Sequence, residues 1–142
     1  MSQLDEIAKA VVDEIVEAFK PTYLVKRAYV PIYDLKEIGA LRVTVIGRGD
    51  ASEAISRATT DDQYAIDVGI QKKLDPEQSI ESQVDACLEV VQGYKDFFRL
   101  RRLTKADAVW IGQENDPVYF PDHLLHDGVF TSVLTLYYRV LR

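Results

Sequence analysis

The last stretch of the chain constrains the fold more than any other. From Val129 to Arg142, Phe130, Leu134, Leu136, Tyr138 and Val140 share one parity, while Thr131, Thr135, Tyr137 and Arg139 share the other. A period of two is the pattern of a β-strand with one buried face. A strand from 129 to 142 at about 3.4 Å per residue would run roughly 48 Å, more than twice the roughly 17–20 Å of a common strand. Part of it is therefore expected to lie beyond its own domain, against a partner subunit.

The rest of the chain supplies the elements that such a strand needs around it. Ser2 followed by Asp5 reads as a capping box, and Leu4, Ile7, Val11, Ile15 and Ala18 recur at helical spacing until Pro21 stops them. One helix is predicted over residues 3 to 19. Thr22 to Val30 is rich in β-branched and aromatic residues and reads as a first strand, closed by Pro31, with residues 31 to 40 as a connection. Leu41, Val43 and Val45 alternate with Arg42 and Thr44 in a second strand that ends at Gly47 and Gly49. Residues 50 to 62 are polar and carry no sustained apolar period, which reads as a mobile or partner-facing loop. Tyr64, Ile66, Val68 and Ile70 give a third strand in a meander.

Asp75, Pro76 and Gln78 mark a helix start, with Ile80, Val84, Cys87, Leu88, Val91 and Phe98 as its apolar stripe. Acidic residues fill the first half of this helix and Lys95, Arg99, Arg101 and Arg102 its end, matching the macrodipole. A short fourth strand surrounds Trp110, and residues 113 to 128 are rich in turn formers. The expected fold is α+β: a mainly antiparallel sheet of about five strands packed against two helices, in the order α-β-β-β-α-β-β, forming one domain over residues 1 to 142.

Charge narrows the partners. With 17 basic against 23 acidic residues the net charge is -6, which argues against a protein held to nucleic acid by phosphate neutralisation. A single cysteine excludes an internal disulfide, no secretory leader is evident, and no apolar run approaches the roughly 18 residues of a membrane span. A reducing cytoplasm is expected, without a membrane partner.

Reactive constellations are weak. His123 and His126 beside Asp122 and Asp127 have metal-ligand residue types, but two histidines in a proline-bounded loop specify no third ligand. Cys87 sits on an apolar helix stripe and reads as a buried small hydrophobe. No serine lies in a nucleophile-elbow pattern. Gly47 and Gly49 enclose Arg48, but the dinucleotide fingerprint breaks at Ser52. No catalytic residue, metal or cofactor is nominated. The cluster Lys95, Arg99, Arg101, Arg102 and Lys105 is the strongest patch of charge, suited either to capping its own helix or to gripping an acidic neighbour.

Three strings of residues resemble a known family. They are Arg27-Ala28-Tyr29-Val30-Pro31-Ile32-Tyr33-Asp34-Leu35-Lys36-Glu37; the strand Ile66 to Leu74 with its Gln71-Lys72-Lys73-Leu74 ending; and Phe130-Thr131-Ser132-Val133-Leu134-Thr135 through Tyr138 and Arg139. Together they are similar, over nearly the whole chain, to the tail terminator or neck proteins of tailed bacteriophages. The resemblance implies a non-enzymatic structural protein of the virion, met in the host cytoplasm during assembly. It implies a homo-oligomer, a hexameric ring at the head-proximal end of the tail tube. That ring ends tube polymerisation, meets the tail tube protein on one side and the head connector or stopper on the other, and lets genome DNA pass through its lumen without specific binding.

On this reading Arg99, Arg101 and Arg102 are candidates for inter-subunit ion pairs. Arg48, Asp50 and Arg57 are candidates for a docking loop, and Tyr137 and Arg139 occupy the less apolar face of the last strand. The rival readings are a head-to-tail connector or stopper and, from another class, a small metal-binding or enzymatic domain built on Asp122, His123 and His126.

Overall fold

A computed structural model describes residues 2–29, 41–54, 56–57 and 60–141. In chain order the elements are α1 (Gln3–Phe19), β1 (Leu24–Ala28), β2 (Arg42–Ala54), β3 (Thr60–Lys73), α2 (Ile80–Phe98), β4 (Val109–Glu114), a single turn of π-helix (His123–Asp127) and β5 (Val129–Leu141). The fold is α+β, and its five strands form one sheet in the order β1-β2-β3-β5-β4. The sheet is mixed, which corrects the expectation of a mainly antiparallel meander. β1 runs parallel to β2, and the other three pairs are antiparallel. Direction was not legible because alternation reports which face is buried and says nothing about which way a neighbour runs. A parallel pair needs a crossover of about a dozen residues or more, and the chain between Ala28 and Arg42 is long enough. The connection expected at residues 31 to 40 lies outside the described residues. The π-helix adds an element between β4 and β5 that the expected order lacked.

α1 begins as its sequence requires. The Ser2 hydroxyl accepts from the Asp5 N–H at 3.2 Å and donates to the Asp5 carboxylate at 2.9 Å, satisfying an otherwise unpaired donor of the first turn. α2 starts later than expected, at Ile80, with Ser79 as its cap. The reason is the buried Gln83, whose amide bonds both the N–H and the C=O of Asp75 and also the C=O of Ser79. These bonds tie residues 75–79 into a turn against the helix, so Pro76 belongs to that turn and not to the first helical position.

The core lies between the helices and one face of the sheet. Ile7, Val11 and Ile15 of α1 and Cys87, Val91, Tyr94 and Phe98 of α2 meet Val43 and Val45, Ile66, Val68 and Ile70, and Leu134, Leu136 and Tyr138 in one cluster. Cross-strand register keeps these residues in rows: Val45 stands beside Val68, and Val68 beside Leu134. Phe19 closes one end, meeting the ring of Tyr94 edge-on at 4.8 Å and that of Phe97 at 5.2 Å. Packing is close at Gly47, where an added Cβ would stand 2.7 Å from Cγ of Leu4.

β5 does not overhang. It pairs with β3 from Lys73↔Val129 to Asp61↔Leu141, and its second half also pairs with β4. The long terminal strand is therefore matched along its whole length by an equally long neighbour, β3, inside its own sheet, and β4 lies on its other side beside Thr135–Arg139.

Candidate functional site

The distal part of β2 is a strand exposed residue after residue. The strand does not stop at its glycines. A bulge between Gly47 and Gly49 shifts the register by one residue, and pairing with β3 resumes at Gly49↔Ala65 and continues to Ala54↔Thr60. The expected partner-facing loop at residues 50 to 62 is thus largely a β-hairpin. Asp50, Ala51, Ser52, Glu53 and Ala54 are all exposed, because β1 pairs only with Arg42–Ile46 and neither helix reaches this far. A strand exposed on both faces has no reason to alternate, which is why its sequence looked like a loop. Asp50 lies on this arm, Arg57 is exposed at its turn, and Arg48 stands at the bulge.

The sheet face turned away from the helices is polar and cross-linked. Thr135 donates to Asp67 at 2.7 Å, and Arg48 approaches the same carboxylate at 3.9 Å. Arg139 Nε donates to the buried Asp61 at 2.8 Å, and Tyr137 donates to Glu114 at 3.3 Å. These bonds lash β2, β3, β5 and β4 together on their outer side. A cleft of about 420 Å³ opens on this face between Arg48, Asp67, Glu114, Asp116 and Phe120. Asp61 and Asp67, two of the acidic halves of these pairs, were not singled out in the sequence. Their signal was a carboxylate placed at the non-apolar parity of a strand.

Of the arginines expected at a subunit contact, two are engaged within the chain. Arg101 forms a two-point bond to Glu14 of α1, at 2.7 and 2.9 Å, and lies 4.2 Å above the ring of Phe97. Arg102 is paired with Asp107. Arg99 caps α2 through its backbone N–H, bonded to the Lys95 carbonyl, and its side chain is exposed. Lys105 bridges to Glu17 at 3.0 Å and Asp13 at 3.6 Å, and the Glu17 hydrogen bond holds its ammonium above the ordinary lysine range. Arg101 and Lys105, just past the end of α2, therefore clamp α1, a role distinct both from capping their own helix and from gripping a neighbour.

The remaining chemistry-bearing residues are structural in their surroundings. His123 bonds the Thr131 hydroxyl at 3.0 Å and stacks on Phe120, and His126 is exposed in the same π-turn. Among the described residues no three His, Cys, Asp or Glu side chains are grouped so as to hold a metal ion. Cys87 is buried, and burial pushes its thiol up, with Lys72 opposing in part. Among the described residues no helix is long and apolar enough to cross a membrane.

No protein-family model matches this chain, and no curated protein matches it.

Proposed function

We propose that this chain is a structural virion protein, the tail terminator of a tailed bacteriophage, acting through protein contacts alone. Six copies would form a ring on the head-proximal end of the tail tube, stopping its growth and presenting a seat for the head connector. The observation that best supports this reading, beside the resemblance of its sequence, is the distal arm of β2. It is a stretch of exposed backbone held at fixed geometry by β3, and so suited to meeting a tube or connector subunit. Rigid strands dock at lower entropic cost than loops that must order on contact. The net charge of -6 fits a lumen through which DNA slides, since like charge disfavours phosphate contacts.

The test is negative-stain imaging of tail tubes assembled with and without the purified protein. Rings on one tube end and tubes of fixed length are expected. An Asp50→Lys, Arg57→Glu variant should leave tube ends bare while folding normally. Tubes of unlimited length in the presence of the wild-type chain would rule the reading out, and rings bound to connector but not to tube would favour the stopper.

A further inference from the structure

One flank of α2 is covered and the other is not. α1 meets the first, where the rings of Phe19 and Phe97 lie 5.2 Å apart. On the second stand Glu81, Val84, Leu88, Gln92 and Lys95, spaced three and four residues apart and so aligned along one face of the helix. Val84, Leu88 and Lys95 are half-buried, whereas Glu81 and Gln92 are exposed. Beneath this flank lies β4, whose Gln113 donates to the Lys95 carbonyl at 3.3 Å. β4 is the last strand of the sheet, and among the described residues no strand lies beyond it.

This flank is symmetric in spacing about Leu88 and opposite in charge. Val84 and Gln92 stand four residues to either side of it, and Glu81 and Lys95 seven. Eleven residues away are Glu77, in the turn before the helix, and Arg99, at its end. Acids thus lie on one side of the centre and bases on the other. Glu77, Glu81, Lys95 and Arg99 have no ion-pair partner among the described residues, although Arg101, Arg102 and Lys105 close by are all engaged.

We infer that two copies of this chain pair through this flank, their α2 helices antiparallel and Leu88 of one opposite Leu88 of the other. A two-fold axis through that contact makes it isologous. It sets Glu81 opposite Lys95 of the second copy, and Arg99 beside the turn that holds Glu77 of the second copy, each twice. Val84 comes opposite the apolar stem of Gln92. A parallel pair would instead set acid against acid and base against base, which is unfavourable. The contact stays clear of the arm of β2, because α2 packs on β5 and β3 separates that strand from β2. A ring of six closes through heterologous contacts, so this two-fold pair belongs to the free chain and uses none of the surface given to the tube or connector.

The experiment is sedimentation equilibrium of the free, full-length chain. The wild type should dimerise, with its dimer weakened by salt. Glu81→Lys and Lys95→Glu each turn two attractive pairs into repulsive ones and should weaken the dimer about tenfold or more, and the two together should restore it. Along one helix these positions stand about 21 Å apart, so a coupling between them arises only across copies. Arg99→Glu, at an exposed position, is a second probe and should weaken the dimer in the same direction, with an unchanged circular dichroism spectrum showing that the fold is kept. A chain that stays monomeric, a dimer indifferent to the single exchanges, or a double variant as weak as the singles would overturn the inference. No tube or connector is present in the measurement, so it fails or succeeds independently of the virion reading.

Discussion

The two halves of β2 share a strand and a partner, yet they behave as different materials. Arg42–Ile46 is flanked by β1, covered by α1 and buries Val43 and Val45 completely. Asp50–Ala54, past the bulge, keeps its hydrogen bonds to β3 but is open on its outer edge and exposed throughout. Backbone pairing alone thus makes a strand, and burial of one face makes a strand that can be recognised. Alternation records the second condition only.

The sharpest way to break this comparison is to place one substitution in each half. Val45→Asp puts a carboxylate into the fully buried row beneath α1 and should cost more than about 4 kcal/mol or prevent folding. Ala51→Asp should stay within about 0.5 kcal/mol. Urea midpoints of the two variants measure the contrast, and similar losses would show that the distal half is packed in solution. The bulge between the halves offers a finer cut. Gly47→Ala drives a Cβ into Leu4 and should cost about 1–3 kcal/mol, whereas the Cβ of Gly49→Ala meets nothing within 4 Å and should be near neutral or slightly stabilising.

The smallest effect comes from the row that joins the halves, Asp50–Tyr64–Tyr138. Tyr138 is wholly buried with its hydroxyl unpartnered, and burial, with the nearby Glu14 adding to it, raises its pKa. Burial also raises that of Tyr94, helped by its hydrogen bond to Tyr23. The native state holds these protons while the unfolded chain releases them above its ordinary value of 10.0. The stabilisation is therefore complete below that pH and is lost progressively as pH rises from it towards the raised native values. Denaturation midpoints should fall between about pH 9 and about pH 11, and less steeply in Tyr138→Phe. At neutral pH that variant should gain about 1 kcal/mol by removing an unsatisfied hydroxyl. A flat alkaline profile would show that Tyr138 is reached by solvent.

Much of the architecture was legible because local chemistry and tertiary burial agreed. The cap at Ser2, the stripe Ile7-Val11-Ile15 and the parity of Leu134, Leu136 and Tyr138 each named their element and its buried face. Where they disagreed, the sequence misled. Pro76 resembles a helix start until Gln83 folds its turn back, and the length of β5 resembles an overhang until β3 proves equally long. The candidate surface was harder to read. Arg48, Asp50 and Arg57 lie at the bulge, on the arm and at its turn, and all three are exposed. Arg101, however, could not be known to hold Glu14, since an ion pair between residues far apart in sequence leaves no mark at either position alone, and the pair of Arg102 with Asp107 depends on the turn at residues 104–107.

The order of residues by itself determined the helices and strands that bury one face, and which side of each faces the core, because those properties are set by spacing over a few residues; the exposed half of β2 and the π-helical turn lay beyond it. Only the tertiary structure decided that β1 lies parallel to β2, that β5 is matched along its length by β3 and that the edge of the sheet is stepped. Strand direction and neighbour length are relations between distant segments, fixed by how the chain crosses over and by which strand is long enough to cover another.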